Sequence, residues 1–88
     1  MKMRVKAMTQ YKHTISLVTK HGELYLPKHN PKLASEILRR ACPHLVRPYE
    51  GQHTLNITPL VGRYINARVE SVHNYPTDTI ETVLIAGD

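Results

Sequence analysis

The chain has no tryptophan and no phenylalanine, and its only aromatics are five tyrosines. Any core it builds is therefore aliphatic and of modest stability, so a partner or a second copy has buried area to contribute. A single cysteine, Cys42, excludes an internal disulfide. No segment approaches the roughly 18 consecutive apolar residues of a membrane span. The opening residues MKMRVKAMTQ hold no apolar run of the signal-peptide kind. A cytoplasmic protein without membrane attachment is the expectation. The four glycines stand alone at 22, 51, 62 and 87, so there is no phosphate-binding glycine loop. Asn56-Ile57-Thr58 matches the glycosylation sequon, a short pattern that matters only in a secreted chain.

Carboxylates are scarce and unevenly placed. Residues 1–68 hold all 12 Lys and Arg against Glu23, Glu36 and Glu50, a balance of +9. Residues 69–88 hold Glu70, Asp78, Glu81 and Asp88 and no cation, a balance of −4. The basic part suits phosphate or an acidic protein, and the acidic end complements the basic strands of another copy, so a homodimer is in view. No carboxylate lies in an apolar context that would raise its pKa, which argues against paired-carboxylate catalysis.

What is present specifies one small domain over residues 1–88. Hydrophobic residues make up 41% of the chain, enough to favour folding over disorder. The clearest element is a helix at about 31–41. Asn30 is a good N-cap, because its side chain can accept a free N–H of the first turn. Pro31 fits the first helical position, and Pro43 disfavours helical geometry at Cys42. Leu33, Ala34, Ile37, Leu38 and Ala41 fall on one helical face, and Lys32, Glu36, Arg39 and Arg40 mostly on the other.

Around this helix the pattern is β. Residues 2–9 alternate, with Lys2, Arg4 and Lys6 outward and Met1, Met3, Val5 and Ala7 inward. Cations on such a strand serve edge protection better than they announce a phosphate-binding strip. Strands at 12–19 and 23–27 form a hairpin. A turn at His21-Gly22 would set Lys20 opposite Glu23 and Leu17 opposite Leu26, with Ile15, Leu17, Leu24 and Leu26 inward. Residues 43–52 read as loop, and 53–58 as a short strand with Leu55 and Ile57 inward. Residues 59–72 admit two readings. Thr58-Pro59 could open a second helix, but that would put Arg68 on its apolar face. A strand from about residue 63 turns Ile65, Ala67 and Val69 inward and is preferred. A last strand at 79–86 follows a turn at 74–78, opposing Val69 to Val83 and Val72 to Ile80. The expected fold is α+β, a helix on a mostly antiparallel sheet in the order βββαβββ.

The chemistry-bearing residues form no catalytic pattern. His13, His21 and His29 recur every eight residues, but the hairpin holds His21 more than roughly 20 Å from the other two. His13 and His29 could pair, yet zinc needs further ligands, so no metal and no cofactor is expected. Cys42-Pro43-His44 sets a thiol beside a base in sequence only. At a helix C-terminus a thiolate is disfavoured, so Cys42 reads as a packing residue. The remaining signal is cationic. Lys28, Lys32, Arg39, Arg40, Arg47 and Arg63, interleaved with Tyr49 and Tyr64, are the candidate binding residues. The leading expectation is a non-enzymatic regulatory protein, of adaptor or inhibitor type and of the kind phage genomes encode, that occupies a protein partner's surface. The alternative is a nucleic-acid-binding protein that contacts phosphates through these Lys and Arg residues.

Overall fold

The computed structural model describes residues 1–43 and 60–87. Its elements are β1 (Lys2–Arg4), β2 (Ala7–Gln10), β3 (Thr14–Thr19), β4 (Gly22–Pro27), α1 (Pro31–Ala41), β5 (Tyr64–Asn74) and β6 (Thr79–Ala86). The fold is α+β, with one helix packed on antiparallel sheets. The strands form two three-stranded sheets, ordered β1–β5–β6 and β2–β3–β4. The expected strand at 53–58 and most of the expected loop at 43–52 lie outside the described residues.

The first expected strand is two strands. Val5 still belongs to the first sheet, for its N–H donates to the Arg63 carbonyl (2.9 Å) and its carbonyl accepts the Gly62 N–H (2.8 Å). One residue later the Lys6 N–H donates to the Val18 carbonyl of β3 (2.8 Å). The chain thus changes sheets at Val5-Lys6. The alternation survives in part: Met3 and Val5 are buried, Lys2, Arg4 and Lys6 are exposed, and Met1 and Ala7 turn out exposed as well. Past the sheet change it is Met8 of β2 that packs against the core, so its neighbour Ala7 turns outward, and Met1 precedes β1.

The β3–β4 hairpin keeps its expected inner face, with Ile15, Leu17, Leu24 and Leu26 all buried. Its register differs. Thr19 opposes Gly22 and Leu17 opposes Leu24, so the turn residues are Lys20-His21 rather than His21-Gly22. The Thr19 hydroxyl explains the choice. It accepts the His21 N–H (3.1 Å) and lies 3.0 Å from the Gly22 carbonyl, closing the turn one residue earlier. The shift moves each partner by two residues, an even number, so no side chain changes face.

Residues 64–74 form a strand, which overturns the helical reading of 59–72. Ile65 and Ala67 are buried while Arg68 is exposed, the period of two that a β ladder requires. The β5–β6 register also differs from expectation, with Val69 opposite Leu84 and Val72 opposite Glu81. Four residues, Tyr75 to Asp78, make the turn. Asp78 takes a positive φ of 51°, and its N–H meets the Tyr75 carbonyl at 3.3 Å. The even loop shifts the pairing by one residue relative to a turn centred on Pro76.

The helix begins as its sequence dictates. The Asn30 side chain accepts the Leu33 N–H (3.2 Å), and Pro31 fills the first helical position. It ends at Cys42, whose N–H donates to the Leu38 carbonyl (2.8 Å). Its buried stripe is Ala34, Ser35, Leu38 and Ala41, with Ile37 partly buried, while Leu33 is 44% exposed. The stripe is rotated from the most apolar arc because small residues let the helix come close to the sheets. Leu38 is fully buried, and its truncation to Ala costs about 2–5 kcal/mol. Among the described residues the core holds no aromatic side chain, only aliphatic ones with Met3 and Cys42. The four described tyrosines stay outside it, at 42%, 52%, 61% and 82% exposure for Tyr11, Tyr25, Tyr64 and Tyr75, so none serves as core filling. No helix among the described residues is long and apolar enough to cross a membrane.

Candidate functional site

The switch of sheets at Val5-Lys6 sets up a concave surface along the outer side of the first strand. A cavity of about 580 Å³ there is lined by Met1, Lys2, Met3, Arg4, Lys6, Lys20, His21 and Tyr64. Each lining residue has a local reason for its position. Lys2, Arg4 and Lys6 alternate with buried Met3 and Val5, so the burial of those two forces the cations outward. Lys20 and His21 are the two residues of the β3–β4 turn, held beside β1 where Thr19 Oγ1 lies 3.4 Å from Met3 Sδ. Tyr64 begins β5 directly opposite Arg4.

The electrostatics of the cleft are one-sided. Of the eight described residues that line it, four are Lys or Arg, a fifth is histidine and none is acidic. Among the described residues none of the four cations has an ion-pair partner. Arg68 pairs instead with Glu70 (2.6 Å), and His73 Nε2 lies 2.9 Å from Asp78 Oδ1, both in the β5–β6 hairpin. Like charges converge here with no carboxylate among the described lining residues, a local field that favours an anion.

The candidate cations read from the sequence fall elsewhere. Lys32, Arg39 and Arg40 are exposed on α1, where Glu36 stands one helical turn from each. Arg40 packs beside Gly87 at the end of β6. Lys28 is half-buried at the open end of the β3–β4 hairpin, its N–H donating to the His13 carbonyl (3.0 Å). That end lies roughly 17 Å of strand from the Lys20-His21 turn. Arg63 is exposed beside Tyr64 but does not line the cleft, and Arg47 lies outside the described residues, as do Tyr49, His44 and His53. Sequence reasoning passed over Lys2, Arg4 and Lys6 as edge protection and Lys20 as a partner for Glu23. The signal was there in KMRVK, with cations at every second position, but Lys20, His21 and Tyr64 join it only through the fold.

Three other groupings of polar side chains lie outside the cleft. Glu23 does not meet Lys20. Its Oε1 accepts the hydroxyls of Ser16 (2.8 Å) and Tyr11 (2.9 Å), and its Oε2 accepts that of Tyr25 (2.8 Å). These bonds, from Ser16 first, hold the Glu23 carboxyl below its ordinary value. In return Glu23 raises both Tyr11 and Tyr25, chiefly through the same hydrogen bonds. His13 and His29 do pair, edge to face with ring centroids 5.9 Å apart. No group of three or more metal-ligating side chains exists among the described residues. Cys42 is buried, its Sγ lies 3.2 Å from the Leu38 carbonyl, and burial pushes its thiol up to about 11. That is the opposite of an activated nucleophile.

No protein-family model matches this chain, and neither the curated proteins nor the solved structures give a significant match.

Proposed function

We propose that this chain is a non-enzymatic binding protein that occupies the surface of a nucleic acid, with the cleft along β1 holding its phosphates. The observation that carries the reading is the set Lys2, Arg4, Lys6 and Lys20, four cations in one concavity with no carboxylate among its described lining residues. Phosphates that replace the counterions of such a surface gain affinity by releasing their own counterions. The helix cations support the same reading less well, because Glu36 lies among them.

The test is a titration of labelled oligonucleotide followed by fluorescence anisotropy over a salt series. Four phosphate contacts predict a loss of affinity of about 50- to 150-fold between about 50 and 200 mM salt. No complex at the low-salt end would sink the proposal.

A protein partner is favoured by a separate observation. Beyond the Val69–Leu84 pair, whose Leu84 is still part of the core, the β5–β6 hairpin runs on for roughly 17 Å of strand and exposes apolar residues on both faces. Val69 is 41% exposed, Val72 46% and Ile80 70%, while His73–Asp78 and Asn74–Glu81 contacts tie its distal end together. Exposed apolar side chains on an ordered arm do nothing for folding and suit contact with another protein. A tagged chain that captures a stoichiometric protein after nuclease treatment, and loses it on Val69→Lys with Ile80→Lys, would support this second reading. Equal capture by the double variant would remove it.

A further inference from the structure

We infer that the nucleic acid held in this cleft is single-stranded and that one of its bases stacks on the ring of Tyr64. The inference rests on the nucleic-acid reading above and narrows it.

Tyr64 is unlike the other described tyrosines. Tyr11 and Tyr25 lie 6.1 Å apart, centroid to centroid, and both hydroxyls donate to Glu23. Tyr75 packs edge-on against His73 at 4.3 Å. Tyr64 has neither a ring partner nor a hydroxyl partner among the described residues, and it is 61% exposed. It lines the cleft without stabilising anything visible, which leaves its ring face free for a ligand.

Its position relative to the cations fits a nucleotide. Cross-strand partners share a face, with Cβ atoms about 4.5–5.5 Å apart, so the Arg4 and Tyr64 side chains emerge side by side. A phosphate on Arg4 therefore places the attached sugar and base within reach of the ring. Lys2 and Arg4 stand roughly 6.6 Å apart along β1, the order of one nucleotide of extended backbone, and Lys6 extends the cationic track past the change of sheets. A duplex offers no equivalent match. Its bases are paired and stacked, so it presents phosphates and base edges and no free base face. The cavity, about 580 Å³, is on the scale of small-ligand sites and has room for a nucleotide. Stacking on an aromatic beside a cationic track is also tolerant of sequence, since every base has a π-face.

The experiment uses the full chain and three probes at one salt concentration: a labelled single strand of about 12 nucleotides, the duplex of the same sequence, and long-chain inorganic polyphosphate as competitor. The unmodified protein is expected to bind the single strand at least about tenfold more tightly than the duplex. Tyr64→Ala is expected to weaken single-strand binding about tenfold while polyphosphate competes as before, and Tyr64→Phe to behave as the parent. Equal affinity for strand and duplex, or an equal loss for all three probes in Tyr64→Ala, overturns the inference and leaves phosphate binding standing. Failure of all three probes to bind overturns both. The strand-against-duplex comparison needs no variant, so a folding defect in Tyr64→Ala cannot obscure the result.

Discussion

Arg4 and Tyr64 face each other across the β1–β5 ladder, on the side that the core does not use. Their neighbours Met3 and Ile65 form the next pair and are buried, so the period of two fixes both orientations at once. If Arg4 and Lys6 hold phosphates, removing charge should show in the salt dependence before it shows in stability. Arg4→Ala with Lys6→Ala is expected to flatten the slope of log affinity against log salt by about 1.4 for a single strand, roughly 0.7 per lost contact. Arg39→Glu with Arg40→Glu on α1 is expected to leave the slope nearly unchanged. An anisotropy series on both double variants distinguishes the cleft from the helix, and the reverse ranking would place the phosphates on α1.

The buried thiol at the end of α1 gives an alkaline limit to stability. The folded-state Cys42 sits at about 11, above the ordinary 9.0, because burial disfavours the thiolate. The unfolded chain releases this proton first, so its contribution is whole below about pH 9 and is lost as pH rises towards 11. The loss is of the order of 2–3 kcal/mol by linkage. Denaturant unfolding across this range, compared with Cys42→Ala, should show a shallower decline in the variant after its own lower baseline is allowed for. Matching slopes in the two proteins would refute the assignment.

Glu23 and its three hydroxyl donors set the corresponding acid limb. The folded carboxyl is lowered first by Ser16, then by Tyr25 and Tyr11. Its contribution is present above the ordinary carboxylate range and disappears as pH falls through the lower folded value. The same bonds delay ionisation of Tyr11 and Tyr25. Glu23→Gln is therefore expected to bring part of the phenolate absorbance to lower pH in an ultraviolet titration. A titration curve identical to the parent's would mean the three bonds do not persist in solution.

The helix and the strand faces were legible in the sequence because each is written in local chemistry. Asn30-Pro31 marks a start, and Leu17 or Leu26 marks an inner face, whatever the rest of the chain does. The registers were not legible in the same way. Thr19 and Asp78 decide them through a side-chain bond and a positive φ, which binary patterning does not register. The sheet change at Val5-Lys6 is unmarked in the run up to Lys6, since Lys2, Arg4 and Lys6 all stay outward. The cleft was hidden for that reason. Its cations were visible one by one, but the turn at Lys20-His21 and the start of β5 reach them only after the chain has crossed between sheets.

That turn supplies the last prediction. Gly22 opens β4 with φ +137°, a conformation L side chains rarely adopt, and a Cβ there would meet Leu84 Cγ at an ordinary 3.7 Å. Space is available, so the cost of Gly22→Ala is conformational, about 1–3 kcal/mol. A fall in Tm of several degrees is expected, at about 4–8 °C per kcal/mol for a domain of this size. Lys20→Ala, exposed in the same turn, should stay within about 0.5 kcal/mol of the parent. The two variants then divide the roles of the turn. Lys20→Ala should weaken oligonucleotide binding at unchanged stability. Gly22→Ala should lose stability, and should lose binding only so far as the turn itself is displaced from β1. Thermal melts paired with titrations test both, and a Gly22→Ala protein as stable as the parent would mean that the hairpin does not close at Lys20-His21.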